Sequence, residues 1–423
     1  MRKADNTAAP SFGALADDLT GAADLALLLA QSGIATALLP GPLISPEAGD
    51  EALVVARKIR AIDPERAVAE ALQVASWLGQ QSVTHLYFKY CSTFDSTPAG
   101  NIGPVTDALL TGAKQRATVM VPAFPDNGRT VCHGYLFVDG VLLSESALAR
   151  HPANPMTDAK LTRWLDRQTP SLRAATIHYA DVVAGPEKLS LAIDRAISAG
   201  ARALIVDTLS NADLDTIARC VAAEPLATGG SAFGAALARQ IYGRPAAAAA
   251  FASKPETSGP TAILAGSCSP ATRRQLRALD PAIPRFVLDP VAPDREITAQ
   301  TTAILDALNA PVVVIHTPND SAALARATEA LGEDAGRRAE RLLAGAALRL
   351  SQRGVRRFIV AGGETSSAVG EALSLPGLRV VERIAEGVPW LGTAGDDPTI
   401  IAFKSGNFGD DDFFEAALTR LQR

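Results

Sequence analysis

Cysteine is scarce. Cys91, Cys132, Cys220 and Cys268 are the only four in 423 residues, and no two stand in the CxxC spacing of a zinc or redox pair or in the dense pattern of a disulfide framework. They read as reduced thiols of a cytoplasmic protein. Charge is modest at 20%, against 48% hydrophobic residues with an alanine-heavy bias. That balance excludes a disordered polyelectrolyte and fits an ordinary globular chain. A basic excess is also lacking: 40 Lys and Arg against 45 Asp and Glu leave a net charge of -5, which supplies no field to gather nucleic acid or anionic lipid. Neither nucleic acid nor membrane is expected as a partner, so any phosphate must be held by a local site. The longest uncharged stretch, Leu25 to Pro46, is interrupted by Gln31, Ser32, Gly33, Pro40 and Pro42. It reads as helix, turn and strand, not as a membrane span. At the amino end Arg2 and Lys3 are followed by Asp5 and Asn6, without the apolar core of a signal peptide.

Several motifs are missing as well. The sequence has no Gly-rich loop ending in Gly-Lys-Ser/Thr, no GxGxxG after a strand and no HRD-type loop, which removes support from Walker ATPases, Rossmann dehydrogenases and protein kinases. The five histidines show neither HxxxH nor HExxH spacing, so a protein-ligated zinc is not expected.

What is present is an alternation. From about Ser11, short apolar runs lead into turns rich in Gly, Asp, Ser or Pro and then into amphipathic segments of helical length, the pattern of stacked βαβ units. Strands are expected at Phe12–Ala16, Ala35–Leu39, His85–Lys89, Ala117–Val121, Ala174–Tyr179 and Ala203–Asp207. Periodicity is lost between Arg244 and Pro260, where five consecutive alanines meet three prolines, and resumes at Thr261–Ala265, Arg285–Leu288, Val312–His316, Phe358–Ala361 and Thr399–Lys404. The predicted fold class is therefore α/β with two domains, residues 1–243 and 261–423 joined by a linker over 244–260. Each is a mostly parallel sheet flanked by helices, with an active-site cleft expected between them. In such sheets ligands sit beyond the carboxyl ends of the strands.

Those positions carry chemistry. Asp17 and Asp18 close the first strand; one carboxylate can cap the following helix, and a pair can divide the work of binding hydroxyls and accepting a proton. Lys89 closes another strand and precedes Ser92, Thr93, Asp95 and Ser96, a set suited to a small, hydroxyl-rich anion, or alternatively a polar turn satisfied by its own backbone. Arg129 and Thr130 follow a further strand, and the Arg fork matches a carboxylate or phosphate. Thr228-Gly229-Gly230-Ser231 precedes a helix and presents N–H groups or simply packs closely. In the second half Ser269 fits a helix N-cap with Pro270 at the first helical position, leaving Ser267 to face a ligand. Gly362, Gly363, Glu364 and Thr365 precede a helix expected over Ser367–Leu373, and Gly406 lies in the loop after the last strand. Each glycine turn is common alone; three on one domain favour a nucleotide.

Taken in order, ADDLTGA (Ala16–Ala22), YFKYCSTFDSTPAGNIGPVTDAL (Tyr87–Leu109), NGRTVCHGYLFV (Asn127–Val138), HPANPMTD (His151–Asp158), GSCSPATRRQ (Gly266–Gln275), FIVAGGETS (Phe358–Ser366) and KSGNFGD (Lys404–Asp410) resemble the four-carbon acid sugar kinase family, over nearly the whole chain. The resemblance implies a sugar-acid domain followed by an ATP-binding domain. It implies magnesium-dependent phosphorylation by ATP of the C4 hydroxyl of a 3-oxo-tetronate, with threonate or erythronate as the alternative acceptor within the family. By position, Ser267, Gly362, Gly363, Glu364, Thr365 and Gly406 correspond to the family's ATP contacts. The expected division of labour has Arg129 and Lys89 on the acid's carboxylate or keto oxygens, and Asp18 or Asp17 on the hydroxyl. Which aspartate is the base, whether a side chain ligates magnesium, and whether the protein forms a homo-oligomer are left open by the sequence. A non-catalytic sensor would keep the same pockets, but the Asp pair beside Lys89 argues against it.

Overall fold

The computed structural model describes residues 10–150, 154–244, 248–332 and 334–422. The charged amino-terminal residues up to position 9 and the start of the HPANPMTD segment, His151 to Ala153, lie outside the described residues. The chain divides into two compact units, one of Met1–Ala37 with Ser45–Ala250 and one of Leu38–Ile44 with Phe251–Arg423. The segment read as a linker is thus shared. Arg244 is tied into the first unit by Glu51, residues 245–247 are not described, and Phe251 onward belongs to the second.

In the first unit the strands β1 (Phe12–Ala16), β3 (Ala52–Ala56), β4 (His85–Lys89), β5 (Thr118–Val121), β9 (Ala175–Ile177), β10 (Ala203–Val206) and β11 (Leu226–Gly229) lie in the order β3-β1-β4-β11-β5-β10-β9, and the other neighbour of β3 is β2 (Thr36–Leu39), of which Thr36 and Ala37 belong to this unit and Leu38 and Leu39 to the second. From β3 to β9 every neighbour pair is parallel. β1 and β3 are buried along their whole length, as strands covered by helices on both faces must be. Between β5 and β9 a small antiparallel sheet, β6 (Arg129–Cys132), β7 (Tyr135–Val138) and β8 (Val141–Leu142), stands apart from the main one. It was not anticipated.

The second unit holds β12 (Thr261–Ala265), β13 (Arg285–Val287), β14 (Val312–His316), β15 (Arg357–Ala361), β16 (Leu378–Ala385), β17 (Val388–Thr393) and β18 (Ile400–Lys404), in the order β13-β14-β12-β15-β18-β17-β16. The first five are parallel, and β17 runs antiparallel to both of its neighbours. Ile263, Val314, Ile359, Trp390 and Phe413 meet in the core beneath them. Each unit is an α/β layer structure with a mostly parallel sheet.

Register places the site residues. Ala16 pairs with Lys89 and Lys89 with Gly229, so β1, β4 and β11 end level and deliver Asp17, Lys89 and Gly230 to one edge. In the second unit Ala265 pairs with Ala361 and Ala361 with Lys404, which sets Gly266, Gly362 and Ser405 in a row.

Candidate active site

Asp18 takes an extended backbone (φ -150, ψ 162) and caps the helix Leu19–Gln31, its Oδ1 accepting from Gly21 N at 2.8 Å. The helix begins at Leu19 because this cap stabilises a first turn containing Thr20 and Gly21, both poor helix formers. Its other oxygen accepts the Thr20 hydroxyl at 2.8 Å. Asp17 is 2% exposed, and both its oxygens are held by Arg60, Nε to Oδ2 and Nη2 to Oδ1, each at 2.9 Å. Arg60 also reaches Asp18 at 3.2 Å and Asp95 at 3.1 Å, while Asp95 accepts from Asn154 at 2.9 Å. Lys89, itself 4% exposed, lies 3.9 Å from Asp18. Gly21 is required here: a Cβ would collide with the Lys89 ammonium and with the Asp18 carboxylate.

Three carboxylates against two cations leave an excess negative charge, and the two adjacent aspartates respond differently. Burial raises the Asp17 carboxyl above its ordinary range, with Arg60 opposing. Burial also acts on Asp18, but Arg60 and Lys89, helped by Thr20 and Gly21, outweigh it and hold that carboxyl below the usual range. Asp17 is the anchor of Arg60, whereas Asp18 is an ionised acceptor whose side chain is 14% exposed.

Around this cluster, the helix Ser231–Ile241 starts directly after Gly230, and the buried Ser231 hydroxyl has no hydrogen-bond partner. The first-turn N–H groups and dipole of this helix favour an anion at its start, beside Ser92, whose Cβ lies 3.7 Å from where a Cβ on Gly230 would be. Thr93 is 3.1 Å from the Cys91 sulfur. Ser96 is committed to the protein, donating to the Phe94 carbonyl and accepting from Trp164 and Gln168, which uses its full capacity. Arg129 donates to the Asn127 carbonyl at the start of β6, with Thr130 next along that strand. Among the described residues neither hydrogen-bonds to the Asp17 cluster. A cavity of about 520 Å³ near Lys114, Arg116 and Glu224 lies at the amino end of β5, the opposite end of the sheet from the carboxylates.

On the second unit Ser269 caps the helix Pro270–Ala278 as the sequence suggests, accepting from Thr272 N at 3.1 Å. Gly362 (φ 124) turns the chain into the helix Gly363–Leu373, which starts four residues before the expected Ser367. Glu364 and Thr365 therefore belong to its first turn, whose N–H groups are free of helical partners. Ser366, fully buried, has an orphaned hydroxyl there. Close approach again demands glycine: a Cβ on Gly266 would strike Thr365 and one on Gly406 would strike Ser267. The Gly406 carbonyl accepts from Ser269 at 2.5 Å, Thr272 at 2.9 Å and Lys404 at 3.0 Å. Hydroxyls and backbone N–H groups thus gather beyond the carboxyl ends of β12, β15 and β18.

Two family models match the chain, one described as a sugar-binding N-terminal domain over residues 12–237 and one as a nucleotide-binding C-terminal domain over residues 262–414. The 3-oxo-tetronate kinase of Burkholderia multivorans is 44% identical over 422 residues, 97% of either chain. The chain belongs to the four-carbon acid sugar kinase family. The 3-oxo-tetronate kinase of Haemophilus influenzae is 40% identical, covering 96% of this chain and 98% of its own. A solved structure from Salmonella typhimurium LT2 superposes with a TM-score of 0.82 at 35% identity, over 97% of this chain and 99% of its own. One from Haemophilus influenzae gives 0.75 at 38%, over 96% and 99%.

In this member of the four-carbon acid sugar kinase family, two site residues escaped the sequence reading. Arg60 follows β3, a strand the reading passed over; with β3 recognised, Arg60 falls just past a strand end like the aspartates it binds. Lys404 was seen only as the end of β18. It is fully buried, donates to Thr272, Ser405 and Gly406, and lies 5.6 Å over the Phe413 ring. Burial pushes its ammonium down to about 7. Unfolded lysine titrates near pH 10.4, so between pH 7 and about 10 the unfolded chain holds a proton the folded one has released, and stability rises with pH. Urea unfolding across that range is expected to show the rise in the parent protein and not in Lys404→Met; parallel profiles would contradict it. Among the described residues no helix is long and apolar enough to cross a membrane, and all four cysteines are free thiols.

Proposed function

We propose that this protein transfers the γ-phosphoryl group of ATP to the C4 hydroxyl of a 3-oxo-tetronate, giving the 4-phosphate and ADP. The first unit takes the acid and the second the nucleotide. The observation that carries the reading is the Asp17-Asp18-Arg60-Lys89 cluster at a strand edge, and the named relatives supply the acceptor. Lys89 and the start of the helix Ser231–Ile241 bind the carboxylate. Ser92, Thr93 and Thr130 face the C2 and C3 oxygens, and the remaining Arg129 N–H groups close on the acid. Asp95 and Ser96 act behind them by holding Arg60 and the loop.

Asp18 orients the C4 hydroxyl and receives its proton as the oxygen bonds to the γ-phosphorus. The bond to the β–γ bridging oxygen breaks and ADP departs. An ionised, low-pKa carboxylate suits this role, because the hydroxyl loses its proton late, when the new P–O bond has drained its charge. The Gly362–Thr365 turn, Ser267 and Gly406 seat the phosphates. That seat offers hydroxyls and N–H groups, which fits magnesium carried in on the nucleotide; when bound, the ion neutralises phosphate charge. ATP as donor locates the reaction in the cytoplasm.

The test is magnesium-dependent ADP release from purified protein with ATP and a panel of four-carbon acids. Preference for 3-oxo-tetronates, made in situ by a dehydrogenase, is the expected result. Turnover on threonate or erythronate alone would replace the acceptor, and no ADP with any acid would remove the kinase reading. Gly406→Ala, which drives a methyl into Ser267, is expected to raise the apparent KM for ATP at least about tenfold, the equivalent of ~1.4 kcal/mol, with the KM for the acid unchanged.

A further inference from the structure

A second cluster of ligating side chains lies in the first unit. His133, His178 and Asp207 each bring one ligand atom to within 4.8 Å of the others, the imidazoles exposed and the carboxylate buried. We propose that these three residues form a binding site for a transition-metal ion of the zinc type, unconnected with the phosphoryl transfer described above.

Three elements converge on Asp207, which follows β10. The turn between β6 and β7 puts His133 and Gly134 in left-handed conformations, φ 52 and φ 69, a conformation in which an Asn-Gly pair is the ordinary choice and a histidine at the first position is not. The N–H of His133 donates to Asp207 Oδ2 at 2.8 Å and that of Gly134 to Oδ1 at 2.7 Å. The N–H of Tyr179 donates to Oδ2 at 3.0 Å, which fixes His178 at the entrance of the helix Tyr179–Val183. One carboxylate thus holds the backbone next to both histidines, and the rings stand 5.7 Å apart. A carboxylate has about four acceptor positions; with three taken by N–H groups, one on Oδ1 remains for a metal.

Two imidazole nitrogens and one carboxylate oxygen select a borderline ion such as zinc over magnesium or calcium, which prefer oxygen throughout. Three protein ligands leave a tetrahedral ion one open position. The exposed rings can rotate through the short distance needed to bring their nitrogens to bonding range, and their exposure gives the ion an entry path. Two of the five histidines of the chain share this one buried carboxylate, though neither belongs to a metal-binding spacing in the sequence. Only the turn and two strand ends bring them together.

The probe is zinc sulfate titrated calorimetrically into metal-free full-length protein at pH 7.5. One equivalent is expected to bind, with the affinity falling at least tenfold in His133→Ala and in His178→Ala while both keep the parent melting temperature. Asp207 is left intact because it anchors three backbone groups. Cobalt(II) in place of zinc should give a tetrahedral spectrum without a sulfur charge-transfer band. Absence of binding, affinity unchanged in either variant, or a thiolate band from a cysteine such as Cys132 would each overturn the assignment.

Discussion

Asp18→Asn is expected to lower turnover by about two to four orders of magnitude, the contribution of a positioned proton acceptor. The apparent KM for ATP should stay within about twofold. The substitution is informative because the capping and proton-accepting jobs of Asp18 can be separated. As the N-cap of Leu19–Gln31 its oxygen accepts from Gly21, and asparagine caps about as well as aspartate, so the helix should form as before; the lost charge facing Arg60 and Lys89 should lower the melting temperature only modestly, because Asp17 and Asp95 still face Arg60. As the acceptor of the C4 proton only the carboxylate serves. Steady-state kinetics with a melting curve on the same sample separate the two. Turnover within a fewfold of the parent would exclude Asp18 as the proton acceptor. Asp17 would not be the natural substitute, since both its oxygens are occupied by Arg60.

Arg60→Met is expected to cost about 3–5 kcal/mol of stability, the range seen when one partner of a buried ion pair is removed and the other is left uncompensated. The loss should depend on pH. Burial already raises Asp17 while Arg60 opposes it; without the guanidinium the carboxyl rises further and the variant folds with Asp17 protonated. An acid whose folded pKa lies above its unfolded value binds protons on folding, so its contribution is present at low pH and is lost as pH rises. Urea unfolding is therefore expected to give a smaller deficit at pH 5 than at pH 8. A deficit below about 1 kcal/mol, the scale of a surface pair, or one equal at the two pH values, would show that Arg60 does not neutralise a buried Asp17. Arg60→Lys should fall between, since one ammonium cannot match the fork on Asp17 and also reach Asp18 and Asp95.

The parallel strands were the legible part of the fold. β1, β4, β12 and β14 stand where mostly apolar runs end at a polar turn, because strands covered by helices on both faces are predominantly apolar. β16 and β17 were not legible. The first carries Arg379, Glu382 and Arg383 and the second Pro389 and Gly392, so their antiparallel pairing has no continuous apolar run to announce it. β11 was hidden because its last residues, Thr228 and Gly229, are turn formers that here lie within a buried strand. The expected strand Ala174–Tyr179 is shortened to Ala175–Ile177 because Tyr179 opens a helix.

In the site, the paired aspartates and the glycine turns could be read from position along the chain, since each follows a strand directly. Arg60, Asn154 and the His133-His178-Asp207 cluster could not. Their partners are distant in sequence, and only the strand order brings them together. Ser96 looked like a ligand group by composition, but its hydroxyl is consumed by Phe94, Trp164 and Gln168. Composition counts hydroxyls without knowing which are already bonded.

The most direct test of the central claim is phosphorus NMR of the product formed from ATP, magnesium and a 3-oxo-tetronate by the purified protein. A phosphate ester split into a triplet by two methylene protons places the new bond at C4, as the account predicts. A doublet from the single proton at C2, or release of inorganic phosphate with no ester, would contradict it.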